Sequence, residues 1–239
     1  MIDPQVLSVG PLWYVVFLLS LTCHEAAHAL VAWIGGDPTA YYGGQVTLNP
    51  IPHVRREPFG TVIVPILSYV LGGWMIGWGS APYNPSWQRR YPRRAAWMAL
   101  AGPLANAALV LVAAAGIRVG MALGAFRAPQ RLFGRQLFTH VVMATSAGPA
   151  EGLAVFLSIL FSLNLLLGAF NLLPIPPLDG NTAVGIILPE GMARRFAQFG
   201  HNRSFALLGL LLGWTVFGYI FGPLFIAVLN LLYLGAHYS

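Results

Sequence analysis

The sequence predicts an all-α polytopic membrane protein, and three observations carry that prediction. First, 57% of the 239 residues are hydrophobic and only 8% are charged, whereas about a quarter of an average soluble domain is charged. Second, the mean hydropathy is +0.68. Third, the apolar residues fall into runs long enough to cross about 30 Å of hydrocarbon, which takes about 20 helical residues. A soluble globular fold, a disordered chain and a disulfide scaffold are excluded. With Cys23 as the single cysteine, no internal disulfide can form. About five to six transmembrane or re-entrant helical segments are expected, with a small re-entrant β-hairpin or strand after the first helix.

Taken in order, the first apolar run covers residues 11–34 and stops at Gly35-Gly36-Asp37-Pro38. Residues 1–10 lack a basic n-region, so this run reads as a retained span and not as a cleaved signal. Residues 40–79 form a re-entrant region. It opens with a strand-like run, Gln45–Leu48, between glycines and Asn49-Pro50. The apolar run 59–79 follows, rich in Gly and holding Pro65. Residues 80–94 carry three prolines and Arg89, Arg90, Arg93 and Arg94. The next core helices are expected at about 95–117 and 151–173, the second breaking at Pro174-Ile-Pro-Pro177. The last run, 205–236, is too long for one upright span. Gly222-Pro223 in its middle allows one kinked helix or a tight hairpin of two C-terminal helices. Trp13, Trp33 and Trp87 near segment ends suggest an interfacial belt.

All thirteen basic residues are Arg, against seven acids. Arg in short loops between apolar runs signals topology and attraction to anionic headgroups of the lipid bilayer. No stretch joins a basic face to a soluble fold, so no nucleic-acid partner is expected. Arg55 and Arg56 precede the run 59–79 and four Arg follow it; if both loops are cytoplasmic, this run does not span but dips in and returns. Four more Arg in 118–135 keep the count from settling the topology.

The first run contains His24-Glu25-Ala26-Ala27-His28. Helical residues four apart share a face about 5–6 Å apart, so both imidazoles can reach one metal ion. Glu25 projects close by and can act on water at that ion. An ionisable cluster this deep in an apolar helix costs several kcal/mol unless paired or metal-bound. The bland alternative is a polar cluster that glues helices together. Zinc needs a third protein ligand and an open position. Asp179 is the best candidate, in the turn-prone stretch Pro174–Gly180. Glu151 and Glu190 are weaker ones. His53 could be an extra metal ligand, a substrate contact or a plain interfacial residue. His140, His201 and His237 lie near loops or the chain end, and Cys23 points about 100° away from His24.

HEAAH in the first helix, Ala101-Gly-Pro-Leu-Ala-Asn106 and Phe170-Asn-Leu-Leu-Pro-Ile-Pro-Pro-Leu-Asp-Gly180 together resemble the site-2 proteases, which are intramembrane zinc metalloproteases. Val46–His53 and Pro58–Pro65 resemble the compact prokaryotic branch without a PDZ domain. The resemblance covers about Leu21–Gly180. It implies one Zn2+ per chain held by His24, His28 and Asp179, with Glu25 as general base and acid. It also implies that Asn171 steadies the oxyanion or the substrate backbone. An interhelical hydrogen bond is the other role open to Asn171, and Asn164 fits that role equally well. The helix holding GPLAN is expected antiparallel to the first span, which favours the re-entrant reading of 59–79. Ser80–Pro85 departs from the Lys-Pro-Val segment common in relatives, which puts any role of that Lys in doubt.

The expectation is therefore one integral-membrane metalloprotease domain over 1–239, multi-pass, in a prokaryotic cell (inner) membrane. It would cut peptide bonds within or near transmembrane segments in regulated intramembrane proteolysis. Its partners would be single-span membrane proteins or signal-peptide-like substrates, with Gln45–Leu48 offering an edge to the unwound substrate. A proteolytically inactive membrane chaperone and a metal-ion transporter using the His pair are the rival readings. Nothing in the sequence sets the oligomeric state.

Overall fold

The architecture comes from a computed structural model that describes residues 4–130, 138–199, 203–234 and 238. His201, His237, Arg131 and Arg135 lie outside them. Helix α1 (Pro4–Ile34) is followed by the short α2 (Thr39–Tyr42) and α3 (Pro50–Arg56). A π-turn over Phe59–Ile63 runs into α4 (Val64–Gly72), and α5 (Pro85–Arg90) leads to α6 (Pro92–Ala122). Strands β1 (Phe126–Arg127) and β2 (Met143–Ala144) precede α7 (Pro149–Asn171). The chain ends with α8 (Asp179–Ala183), α9 (Glu190–Phe199) and α10 (Arg203–Leu232). Among the described residues four stretches are long and apolar enough to cross a membrane: Ser8–Ile34, Pro92–Ala122, Pro149–Asn171 and Leu208–Leu232. The protein is thus a multi-pass integral membrane protein.

Proline marks where helices begin. Pro50, Pro85, Pro92 and Pro149 stand at the first turns of α3, α5, α6 and α7, where a missing N–H costs nothing. Asn49 and Asn84 cap α3 and α5, their side-chain oxygens accepting from Ile51 N at 3.0 Å and Ser86 N at 2.8 Å. These starts extend the core helices beyond the expected bounds, to Pro4, Pro92 and Pro149.

Helix α6 lies between α1 and α7 and runs antiparallel to both. Its first turn meets the end of α1, where Trp87 Nε1 and Arg94 both donate to Gly35 O at 3.1 Å. Ala95, Ala96, Ala99, Gly102 and Ala113 are buried on α6. Such small residues let membrane helices approach closely when lipid offers no hydrophobic drive between them. The main core joins Trp13, Val16 and Phe17 of α1 to Ile117 of α6, Phe161 of α7 and Phe225 of α10. Outward residues such as Leu111 and Leu211, 70% and 69% exposed, suit a lipid-facing surface.

Three sequence expectations need correction, and one choice left open is resolved. Gln45–Leu48 is not a strand: Gly44 turns the chain with φ of +68°, and Thr47 O is engaged by the His53 side chain at 3.1 Å instead of a strand partner. The two-stranded antiparallel sheet lies instead at Phe126–Arg127 and Met143–Ala144. The last apolar run is one continuous helix with Pro223 inside it, because a membrane helix tolerates an internal proline. Trp13 and Trp87 are buried, not interfacial; Trp13 packs on Tyr69 with ring centroids 6.2 Å apart, and the Trp87 N–H is satisfied by Gly35 O. Trp33 stays exposed and stacks on Tyr41.

The run 59–79 makes a helical segment over Phe59–Gly72, too short to cross. The chain then returns alongside it, and Trp78 N donates to Gly60 O at 3.1 Å. The two ends of the run thus lie side by side, and Gly77 and Gly79 pack against Phe17 and Glu25 of α1.

Candidate metal centre

Helix α1 carries His24 and His28 on its face toward α6, and both are buried. Their Nε2 atoms are 3.0 Å apart and their rings meet edge to face at 82°. Asp179 arrives from the far end of the sequence. After α7 ends at Asn171, the proline-rich stretch turns the chain and starts α8 at Asp179. Its Oδ2 lies 3.0 Å from His24 Nε2 and 3.3 Å from His28 Nε2.

The three atoms form a triangle with edges of 3.0, 3.0 and 3.3 Å. Three ligands at about 2.0–2.1 Å around a tetrahedral ion stand roughly 3.3 Å apart, so the triangle has zinc's dimensions. The hydrogen-bond chemistry agrees. His28 Nδ1 donates to Met98 O at 2.7 Å and His24 Nδ1 donates to Asn106 Oδ1 at 2.6 Å. With their protons on Nδ1, both rings turn bare Nε2 lone pairs toward each other and toward a carboxylate oxygen. Three acceptors face one another with no hydrogen between them, an arrangement that a divalent cation satisfies. No other group of three such side chains with metal-binding spacing occurs among the described residues. Gly102 of α6 forms the floor: a Cβ there would lie 2.5 Å from His24 Nε2 and would also collide with His28 Nε2.

Glu25 is buried beside this triangle, and no group among the described residues hydrogen-bonds its carboxylate. It packs against the returning chain at Gly79, where a Cβ would sit 2.7 Å from Glu25 Cγ. The segment Gly79–Asn84 is held at both ends by acids. Ser80 Oγ donates to Glu57 Oε1 at 2.6 Å and accepts from Arg56 Nε at 3.0 Å. At the other end the buried Asp37 accepts from Asn84 N at 2.6 Å. Between these anchors the amides of Gly79, Ala81 and Tyr83 donate to no group among the described residues.

The remaining candidates lie elsewhere. Asn171 is half-buried, and its Nδ2 donates to Leu167 O of its own helix at 3.1 Å; it makes no hydrogen bond to His24, His28 or Asp179. His53 is buried and bonds Thr47 O, outside the triangle. Glu151 starts α7 at the opposite end of the helix from Asn171 and, with His140, lines a separate cavity of about 260 Å³. Glu190 pairs with Arg194 on the surface at 3.8 Å. Cys23 is half-buried. Asn106, the Met98 carbonyl and Gly102 escaped the reading of residue types. The signal for two of them was present, since Gly102 and Asn106 are the first and last polar-or-glycine positions of GPLAN.

The profile of peptidase family M50 matches residues 12–212. YwhC of Bacillus subtilis (strain 168), named as a candidate zinc metalloprotease, is 32% identical over 193 residues, 80% of this chain and 76% of YwhC. Rip2 of Mycobacterium tuberculosis (strain ATCC 25618 / H37Rv), named likewise, is 34% identical over 212 residues, 87% of this chain and 70% of Rip2. No solved structure matches the chain. The chain belongs to peptidase family M50, the site-2 protease family, and is a zinc metalloprotease.

Proposed function

We propose that this M50 peptidase cuts peptide bonds within or near the transmembrane segments of single-span membrane proteins or signal-peptide-like remnants. It would do so in regulated intramembrane proteolysis, in the inner membrane of a prokaryotic cell. One observation supports this above the rest: His24, His28 and the unpartnered Glu25 are buried within an apolar span, and Asp179 reaches the two histidines from α8. His28 and His24 stand six and ten residues before Ile34, about 9 and 15 Å along the helix from that end. Arg55, Arg56, Arg89, Arg90, Arg93 and Arg94 outnumber Arg118 and Arg127, which follow at the far end of α6, and this excess favours a cytoplasmic placement of the Ile34 end under the positive-inside rule. The site then sits inside the bilayer, nearer its cytoplasmic face.

His24, His28 and Asp179 would hold the zinc. When bound, zinc supplies Lewis acidity that polarises a scissile carbonyl and makes water acidic enough to lose a proton near neutral pH. Glu25 accepts that proton, because its carboxylate is held close to the triangle with no competing donor. As the water oxygen bonds to the carbonyl carbon and the C–N bond breaks, Glu25 returns the proton to the leaving amine. A transmembrane substrate must unwind first, since its own helix occupies its amides and carbonyls. The anchored segment Gly79–Tyr83, with amides unspent, offers backbone donors to such a strand. Asp37, Glu57, Ser80 and Arg56 hold that segment beside Glu25.

The test is a Glu25→Gln variant in detergent or vesicles with a cleavable single-span substrate. Zinc should remain at one per chain while cleavage falls by roughly 10²–10⁴-fold. Undiminished cleavage in that variant would overturn the mechanism.

A further inference from the structure

Between α1, α6 and α7 runs a chain of buried polar groups whose members other than Asn106 touch no ligating side chain. Ser20 Oγ donates to Val16 O at 2.7 Å. Asn164 Nδ2 donates to Ser20 Oγ at 2.8 Å and to Leu160 O at 2.8 Å. Asn106 Nδ2 donates to Asn164 Oδ1 at 2.8 Å, and His24 Nδ1 meets Asn106 Oδ1 at 2.6 Å. Ser20, Asn106 and Asn164 are each fully buried, with no measurable exposure.

The direction of every bond follows from the far end. Leu160 O and Val16 O are backbone carbonyls and can only accept. The single Ser20 proton goes to Val16 O, so Ser20 turns a lone pair toward Asn164. Asn164 must therefore present its NH₂ to Ser20 and Leu160 O, which leaves its oxygen facing Asn106. Asn106 must then present its NH₂ to Asn164 and its oxygen to His24. An oxygen facing Nδ1 requires the proton on Nδ1 and leaves Nε2 bare toward Asp179 and His28. Reversing Asn106 would pin the proton on Nε2, aimed into the ligand set. Reversal would also leave buried donors and acceptors mismatched at each step, costing about 1–3 kcal/mol per orphaned group.

We propose that Asn164 is a positioning residue that sets the tautomer of His24 through Asn106, so that carbonyls of α1 and α7 determine which imidazole nitrogen is available to the metal. The inference rests on His24 being a zinc ligand. It predicts that losses in zinc affinity grade along the relay, and that what matters at residue 106 is an acceptor and not bulk.

The experiment measures zinc affinity of the purified full chain by chelator competition, without any protease assay. Asn106→Leu removes the acceptor and should weaken zinc binding roughly 10–100-fold. Asn106→Asp keeps an oxygen facing His24 Nδ1 and should bind close to wild type. Asn164→Leu should fall between wild type and Asn106→Leu, and Ser20→Ala, which leaves Leu160 O as an anchor, should lie nearer wild type than Asn164→Leu. Wild-type affinity in folded Asn164→Leu overturns the proposal. So does Asn106→Asp binding as weakly as Asn106→Leu, which would make the side chain a spacer. If Asn164→Leu does not fold, Asn164→Asp replaces it: it keeps the acceptor facing Asn106, must retain zinc, and overturns the proposal if it does not. Full zinc binding in His24→Ala would remove the ligand assignment itself, a result distinct from these.

Discussion

Replacing Gly102 by Ala tests the metal centre with a single methyl group. The added carbon would lie 2.5 Å from His24 Nε2 and 2.6 Å from His24 Cε1, with His28 Nε2 also in collision. Ordinary contact begins at 3.4 Å, so the rings must retreat by about 0.9 Å. They cannot swing freely, since each Nδ1 is held by a short bond, to Asn106 at 2.6 Å and to the Met98 carbonyl at 2.7 Å. Metal sites tolerate departures of about 0.2 Å in ligand distance, several times less than this retreat. The zinc content of the purified variant should therefore drop well below one per chain, and cleavage of a single-span substrate should fall by roughly 100-fold or more. Elsewhere the substitution favours the helix, because Ala is better than Gly in a helix interior by roughly 0.5–1 kcal/mol. Displacing the two buried rings should cost about 1–3 kcal/mol, more than this gain, so the thermal midpoint of metal-free protein should fall modestly as well. Retention of one zinc per chain with undiminished cleavage would refute the proposed geometry.

Two other expectations follow from named contacts. His53→Ala should leave zinc stoichiometry at one per chain, because His53 bonds Thr47 O outside the triangle; loss of zinc in that variant would restore it as a ligand. Asp37→Ala orphans the amides of Thr39 and Asn84, which should cost about 1–3 kcal/mol in a thermal shift of the detergent-solubilised protein. It should also raise KM, with zinc unchanged, as the segment beside Glu25 loosens. An unaltered KM would show that this segment does not meet substrate.

The parts of the site that share one helix were legible in sequence. His24, Glu25 and His28 announce themselves because four-residue spacing alone brings the imidazoles together. Asp179 was legible because prolines isolate it after an apolar run that offers few other acids. Asn106 and the Met98 carbonyl were not, since they reach the histidines only through the register of α6 against α1, and a backbone carbonyl leaves no mark in sequence. Asn164 and Asn171 show the same limit: seven residues apart on one face, they differ only in what packs opposite. Asn164 meets α1 and α6, while Asn171 stands at the helix end and bonds its own backbone. The strand expected at Gln45–Leu48 failed because alternation implies a strand only where a neighbour supplies a ladder, and His53 takes that place. The long last helix went undecided because Pro223 has opposite meanings in water and in lipid.

The triangle also bears on how the chain is made. Asp179 meets His24 across 155 residues of sequence, so the histidines enter the membrane long before their third partner exists. At about 5–20 residues per second of synthesis, that delay is on the order of 10–30 s. During this time the two imidazoles lack Asp179, and under the proposed ligand set a truncated or half-inserted copy would have no complete metal site. Lytic capacity would then arrive only when α8 docks, so that completion of the fold and arming of the protease become one event in biogenesis.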